Sequence, residues 1–308
     1  MNKPRIERRE IHGWLALDKA AGETSTDAVA ALKRIYRAKK AGHAGTLDPL
    51  ASGILPIAFG EATKTVPFVM NGEKAYRFTV RWGIETDTDD SEGSASAHSA
   101  MRPARETIRA ALAAFTGRIE QVPPKFSALK IGGERAYDLA RQGEAVELAA
   151  RPVDIHKLTL LEIRDADHAI FEAECGKGTY VRALARDLGR KLGSFGHVTA
   201  LRRIRVGPFN EDSSVTVKEL AALRDAEGEE SLVGTLLPVE TGLTSLPALT
   251  VSAADAQRLA LGQTVIVRGR DAPILEGPVA VSAQGALIAL GEIEQGALKP
   301  KRIFHLPR

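Results

Sequence analysis

The stretch Gly42-His43-Ala44-Gly45-Thr46-Leu47-Asp48-Pro49-Leu50-Ala51-Ser52-Gly53-Ile54-Leu55-Pro56-Ile57-Ala58-Phe59 sets one carboxylate in a glycine-flanked loop that runs into a compact apolar strand, Ile54 to Phe59. Pro49 fixes its own φ and biases Asp48 toward an extended backbone, so the carboxylate is held in one orientation. Gly42 and Gly45 permit turns or close backbone approach. On spacing alone two readings stand: an Asx-turn aspartate that only shapes the chain, or a catalytic carboxylate.

Upstream, Trp14 to Asp18 reads as a short buried strand that ends at the turn Ala20-Ala21-Gly22. Ser25, Thr26 and Asp27 offer capping oxygens for a helix through about Tyr36, with Val29, Leu32, Ile35 and Tyr36 at helical spacing and Lys33, Arg34 and Arg37 toward the other side. Downstream, Tyr76 to Trp82 alternates like a strand. Glu85 to Arg102 is acidic, Ser/Ala-rich and nearly free of large apolar groups, which predicts an exposed loop. Pro103 starts a helix that runs to about Phe115, with Gly117 as its stop signal. Gln121 to Leu148 carries Pro123-Pro124 and Gly132-Gly133 and is expected to be a mobile insertion. Strands follow near Lys157 to Glu162, Ala169 to Cys175 and Val198 to Val206. Between the last two, Val181, Leu184, Ala185, Leu188 and Leu192 form the stripe of an amphipathic helix ended by Gly193. Strands separated by helices indicate a mixed α+β domain. After a break at Pro238 to Leu249 come a helix (Ala253 to Leu261) and short strands at Thr264 to Arg268, Val279 to Ser282, Ala286 to Leu290 and Ile303 to Leu306, a small β-rich unit.

The 308 residues are 44% apolar and 26% charged, ample for a buried core. The single cysteine, Cys175, excludes an internal disulfide and a thiolate metal cage, and a reducing, cytoplasmic compartment is expected. No apolar run reaches the ~20 residues of a membrane span, and Met1 to Gly13 has no signal-peptide core. The net charge of +3 says little. Its distribution says more: Lys33, Arg34, Arg37, Lys39 and Lys40 form one cluster, Arg202, Arg203 and Arg205 a second, and Lys299, Lys301 and Arg302 a third. Each alone reads as a solvated face; together they tilt toward a polyanion. The histidines form no His-x-x-x-His pair. Asp87 to Gly93 looks like a calcium loop but has Glu92 where glycine is required and His98 where a bidentate glutamate is required. Gly176-Lys177-Gly178-Thr179 departs from a phosphate loop at Phe171 and Gly178. No cofactor and no metal are expected, so side chains do the chemistry alone.

Gly42 to Lys64 resembles the catalytic motif of the TruB family, the bacterial pseudouridine synthases of tRNA uridine 55. Trp14 to Gly22 is similar to the family's first motif, Lys74-Ala75-Tyr76-Arg77 to its tyrosine motif, and Pro124 to Gly143 to its thumb insertion. Gly176 to Asp187 is similar to its arginine motif and Leu201-Arg202-Arg203 to a later one. These span residues 14 to about 210 in order. One departure is Ala20, where the family has proline after Lys19, which loosens a turn.

The resemblance implies an α+β catalytic domain over residues 1–240, with a mixed, largely antiparallel sheet and a thumb-like insertion at about 121–150. A small PUA-like β-barrel at 246–308 follows. It implies an isomerase that turns uridine into pseudouridine at position 55 in the tRNA T-loop, with Asp48 as the catalytic carboxylate. Arg182 then corresponds to the arginine that pairs with that aspartate and aims it, and Tyr76 to the tyrosine packed against the target base. Tyr180 and Leu201 line the pocket. His43 takes the place of the flipped base, whose extrusion costs about a few kcal/mol. Lys19, Lys64 and the Lys33 to Lys40 cluster face phosphates or frame the site. The expected partner is tRNA, bound by its T-arm and, through the C-terminal unit, its acceptor stem, with a monomeric enzyme and no membrane. A tRNA-folding chaperone is the competing class. A sister synthase acting on ribosomal or guide-directed RNA is disfavoured, because long Lys-rich tails are missing.

Overall fold

The computed structural model describes residues 7–127, 130–131, 134–135, 148–267 and 275–307. Its main body is a nine-stranded sheet. The strands are β1 (Gly13–Lys19), β2 (Ala41–His43), β3 (Ser52–Phe59), β4 (Lys74–Trp82), β5 (Gly117–Gln121), β6 (Arg151–Ile163), β7 (His168–Cys175), β8 (Gly196–Val206) and β9 (Phe209–Asn210). The path runs β1-β3-β8-β4-β7-β6-β5, with β2 on β3 and β9 on β8. Every pairing is antiparallel except β3 with β8. The α+β class with a largely antiparallel sheet is as expected.

Burial explains the two strand signatures. In β1 and β3 the apolar runs do not alternate with polar residues because both faces of the sheet are covered there. Leu15, Leu17, Leu55, Ile57 and Phe59 join one core, while Trp14, Ala16, Ile54 and Ala58 join another on the opposite face. β4 and β7 are covered on one face only, so Phe78, Val80 and Trp82 and the residues Ala169, Phe171, Ala173 and Cys175 point inward and their neighbours outward. Phe78 stacks on Phe171 at 5.5 Å and Trp82 meets it edge-on at 6.0 Å.

The helices are α1 (Ser25–Ile35), α2 (Val66–Asn71), α3 (Arg105–Leu112), α4 (Val181–Lys191), α5 (Val217–Glu227) and α6 (Ala253–Ala260). The cap of α1 is Thr24, whose hydroxyl accepts from Asp27 N–H; Ser25, expected as a cap, serves the site instead. α4 buries its apolar stripe, but Arg182 and Arg186 are buried with it. Gly189 lets this helix close on β8, since a Cβ there would collide with the Gly196 backbone.

Two expectations need correction. Residues 85–102 are not simply an exposed loop: strands Ile84–Thr86 and Ala95–His98 pair, and the turn between them buries Thr86, Asp89 and Asp90. In the C-terminal unit the last strand is Ala297–Ile303 rather than Ile303 to Leu306. The outward Lys299 and Lys301, with Pro300 between them and Arg302 after them, disguised it. Most of the expected insertion lies outside the described residues.

The second sheet has five strands, β10 (Ala248–Thr250), β11 (Val265–Ile266), β12 (Gly277–Ala283), β13 (Ala286–Glu294) and β14 (Ala297–Ile303), ordered β10-β12-β13-β14-β11. It is curled into a half-barrel. Leu287, Leu290 and Phe304 belong to the same buried cluster as Trp14, Ile54 and Phe209, together with Val69, Val239 and Leu243.

The parallel β3–β8 contact depends on Gly53. Its φ is +101°, and a Cβ would lie inside contact distance of the Arg203 carbonyl. Gly53→Ala is expected to lose about 2 kcal/mol or more of unfolding free energy in a urea titration. A loss within ~0.5 kcal/mol would show that the strand pair does not need a glycine.

Candidate active site

β3 changes partner along one edge. At its C-terminal end it pairs with β2, and at Ser52 and Gly53 with β8. The loop 44–51 occupies the fork between these two neighbours, and its backbone is fastened from several sides. Arg203, 2% exposed, donates to the carbonyls of Ile54 (2.7 Å), Gly45 (3.1 Å) and Thr46 (3.3 Å). Ser25 Oγ donates to the Leu47 carbonyl at 3.0 Å and accepts from Leu47 N–H at 2.9 Å. Gly22 N–H donates to the Pro49 carbonyl at 2.7 Å. Lys19 is fully buried, its ammonium on the carbonyls of Glu23 (2.7 Å), Ala20 (2.8 Å) and Pro49 (3.5 Å). It frames the loop and does not face phosphates, and burial pulls its ammonium below the usual lysine range.

The loop presents the Asp48 carboxylate to Arg182, with Nη2 to Oδ2 at 3.0 Å. Arg182 sits in the first turn of α4 and is held on its other sides by Asp90 Oδ2 (3.3 Å) and the carbonyls of Thr88 (3.0 Å) and Phe126 (2.9 Å). Burial is lopsided: the side chains of Arg182 and Asp90 are 8% and 5% exposed, that of Asp48 41%. The guanidinium is thus a fixed base plate, and the carboxylate is the part of the pair that meets solvent. Among the described residues the carboxylate makes no hydrogen bond to its own loop, so the Asx-turn reading fails.

The other expected residues surround this pair. Tyr76 of β4 lies opposite Arg203 on β8 and Ala173 on β7, half-buried. Burial pushes its hydroxyl up, Arg203 opposes, and Asp48 adds a smaller upward push. Tyr180 precedes α4, its backbone bonded both ways to the Gln121 side chain at 2.8 and 3.2 Å. Burial raises its hydroxyl too, with Asp48 again contributing. Leu201 faces Phe78 across β8 and β4 and is buried. His43 ends β2; its Nδ1 is buried without a hydrogen-bond partner among the described residues, and burial together with Arg203 pulls its pKa down, which favours the neutral ring. Lys64 stands apart, at the seam between the sheets, on Glu61 (2.6 Å) and the Ile303 carbonyl (2.7 Å).

Sequence reasoning missed Asp89, Asp90, Arg186 and the clamping role of Arg203. The signal for the first three was present: adjacent aspartates, and arginines four apart on a helix. Two of the three basic clusters also change meaning. Arg202 forks onto Asp18 and reaches Glu211, Arg205 binds Glu174, and Lys299 and Lys301 pair with Glu294 and Glu292. In the α1 cluster Arg37 and Lys39 pair with Glu229 and Glu10, while Lys33, Arg34 and Lys40 have no acidic partner among the described residues.

Residues 33–181 match the TruB family pseudouridylate synthase (N terminal domain), residues 182–244 the tRNA pseudouridylate synthase B C-terminal domain, and residues 247–304 Pseudouridine synthase II TruB, C-terminal. The chain is 62% identical over 307 residues to tRNA pseudouridine synthase B of Nitrobacter winogradskyi, covering 99% of this chain and 86% of that protein. It is 56% identical over 309 residues to the Rhizobium etli protein of the same name, covering 99% of this chain and 100% of that one. Among solved structures it is similar to a Cbf5-Nop10-Gar1 complex, with a TM-score of 0.76, 26% identity, and coverage of 96% of this chain and 85% of that one. An H/ACA RNP bound to a substrate RNA containing 2′-deoxyuridine gives 0.74 at 25% identity, over 96% of this chain and 86% of that one.

The lopsided burial predicts an asymmetry in stability. Arg182→Ala strands the buried Asp90 carboxylate without its cation and is expected to cost about 3–5 kcal/mol. Asp48→Ala removes a half-exposed partner and is expected to cost within about 1 kcal/mol. Denaturant unfolding of the two variants checks this, and equal losses would contradict the picture of a fixed guanidinium with an exposed acid.

Proposed function

The chain belongs to the TruB family of pseudouridylate synthases, and from that premise we propose that it converts uridine 55 in the T-loop of tRNAs to pseudouridine, with Asp48 as the catalytic carboxylate. As a pseudouridine synthase it is an isomerase. The observation that carries the assignment of Asp48 is its pair with Arg182: a carboxylate on a pinned loop, open to solvent on one side and fixed on the other by a buried guanidinium. The names of its relatives support tRNA as the substrate, and the high identity along the whole chain favours it over guide-directed RNA.

The isomerisation asks three things of these side chains. The uridine must leave the stacked loop, which costs about a few kcal/mol. A neutral His43 ring suits the vacated place in the RNA, because it can stack without bringing a charge into the loop. The extruded base then packs against Tyr76, whose hydroxyl stays protonated, between Leu201 and Tyr180. Asp48 assists breakage of the bond from C1′ to N1, either on the sugar or on the base. The base turns, C5 bonds to C1′, the C5 proton leaves and N1 takes one up. Arg182 keeps the carboxylate aimed throughout; a guanidinium fork does this better than a point charge.

Lys33, Arg34 and Lys40, which have no acidic partner among the described residues, are cations available for RNA phosphates. We read residues 1–240 as the catalytic unit and 246–308 as a tRNA-binding unit for the acceptor stem, in a monomeric cytoplasmic enzyme. No helix among the described residues is long and apolar enough to cross a membrane. Because Leu287, Leu290 and Phe304 share a buried cluster with Trp14 and Phe209, cutting the chain near 246 would strip part of that cluster, so point variants are the cleaner test.

Asp48→Asn is expected to abolish pseudouridine formation in a tRNA transcript while leaving tRNA binding intact, which also separates an isomerase from a pure folding chaperone. Arg182→Lys is expected to lower turnover by about 10²-fold or more. Substantial product from Asp48→Asn would remove Asp48 from the mechanism. An unaltered uridine 55 in cells lacking the protein would refute the substrate.

A further inference from the structure

Arg182 has a counterpart one helical turn along α4. Arg186 is equally hidden, with its side chain 10% exposed. Its Nη1 meets Asp89 Oδ2 at 2.9 Å, its Nη2 donates to the Val122 carbonyl at 2.8 Å, and its Nε meets Asp187 Oδ1 at 2.8 Å. The two arginines make the same pattern of contacts. Each takes one of the adjacent aspartates, Asp90 for Arg182 and Asp89 for Arg186, and each takes one carbonyl of the segment 122–126. Only Arg182 goes on to reach Asp48.

The turn that supplies the aspartates is built for this. Asp89 has φ of +61°, a left-handed conformation that costs a non-glycine residue roughly 1–2 kcal/mol. In an extended segment successive side chains point to opposite sides; the left-handed residue lets Asp89 and Asp90 both face α4. Its backbone is tied down, with Asp89 N–H donating to the Thr86 carbonyl at 3.2 Å and its own carbonyl accepting from Val198 N–H at 3.1 Å. Gln121, 2% exposed, adds a third stitch through its two bonds to the Tyr180 backbone. The start of α4, the turn at 86–90 and the segment 121–127 therefore form one hydrogen-bonded block. The bond through which that block reaches the Asp48 carboxylate is the one from Arg182.

We propose that Asp89 and Arg186 are positioning residues for the reaction: they hold the turn and the segment 122–126 in register with α4, and so set the line along which Arg182 aims Asp48. The proposal rests on the reading of Asp48 as the catalytic carboxylate. Neither residue touches Asp48, so their effect falls on the rate of the chemical step rather than on RNA affinity. A misplacement near 1 Å at a reacting group costs about 10²-fold in rate.

Acid offers a second handle on the same pair. Burial pushes the Asp89 carboxyl up to about 6, against Arg186 and Arg182, with Glu85 and Asp187 adding to the rise. From β8, His197 lies near Asp90 and is itself pulled down by burial. As pH falls through the raised value Asp89 takes up a proton and releases its charge on Arg186.

The test compares wild type, Asp89→Asn and Arg186→Lys on a tRNA transcript, measuring single-turnover rate constants at saturating enzyme between pH 5 and 8, tRNA affinity by filter binding, and melting temperature. Asp89→Asn keeps size and shape, so it is the arm that survives if Arg186→Lys folds badly. The expected result is a single-turnover rate reduced about tenfold or more in both variants, with affinity within about twofold of wild type. The wild-type rate should also show an acidic limb near pH 6 that Asp89→Asn lacks. An Asp89→Asn protein with the wild-type rate and the wild-type pH profile would overturn the proposal, and so would losses of rate and affinity in equal measure. Wild-type protein that leaves the transcript unmodified would instead condemn the substrate reading.

Discussion

A buried guanidinium cannot shed its proton and carries five donors, so the chain around it must supply acceptors or not fold. Three such groups, Arg182, Arg186 and Arg203, dictate the site. Arg203 gathers carbonyls from the loop before β3 and from the start of that strand. Arg182 and Arg186 gather the turn at 88–90 and the segment 122–126. Carbonyls inside regular strands and helices are mostly paired already, so apart from Ile54 at the start of β3 the acceptors come from irregular segments. The arginines therefore fasten three irregular stretches of chain around the Asp48–Arg182 pair.

The cost of these ions explains the lopsided exposure of the Asp48–Arg182 pair. Replacing a buried ion pair by apolar packing is often neutral for stability, but irregular backbone with unpaired carbonyls leaves no such option here. Held by Asp90, Thr88 and Phe126, Arg182 has anchors that do not depend on Asp48. The carboxylate is then free to be exposed, with solvent on the side away from the guanidinium. Support runs from buried to exposed: Arg186 and Asp89 behind, Arg182 in the middle, Asp48 at the surface.

Strands and helices were legible in the sequence because their signals are local. The run Trp14 to Asp18, the alternation in β4 and the stripe on α4 are each contained in fewer than a dozen residues. What failed to show was the pairing of distant charges. Residues 85–102 have the composition of a solvated loop, and the arginines that draw Asp89 and Asp90 inward lie about a hundred positions later. Arg202 counts as a basic cluster along the chain, yet its partner Asp18 is 184 residues away on a neighbouring strand path. The strand Ala297–Ile303 was hidden by its outward lysines and Pro300. Asp48 itself is the sharpest case. Its own loop describes only a turn aspartate, and what excludes that reading is a guanidinium 134 positions further on, together with the resemblance that named the pair.

The pocket that results holds little net charge. Asp48 and Asp90 share Arg182 while Arg203 adds a second cation, burial pushes the Tyr76 and Tyr180 hydroxyls further toward their protonated forms, and burial and Arg203 disfavour the His43 cation. Lys19, the nearest other cation of the loop, is spent on carbonyls. A uracil ring is neutral too, so the pocket suits the base but has nothing to draw a polyanion toward it. Attraction has to come from elsewhere, and Lys33, Arg34 and Lys40, at the end of α1 and just beyond it, have no acidic partner among the described residues. Because long-range attraction scales with charge and salt while the chemistry of a site depends on geometry of tenths of an ångström, the two can be altered independently. That separation is what the arrangement of buried arginines makes possible: cations that fasten loops are hidden, and Lys33, Arg34 and Lys40 are left without acids among the described residues.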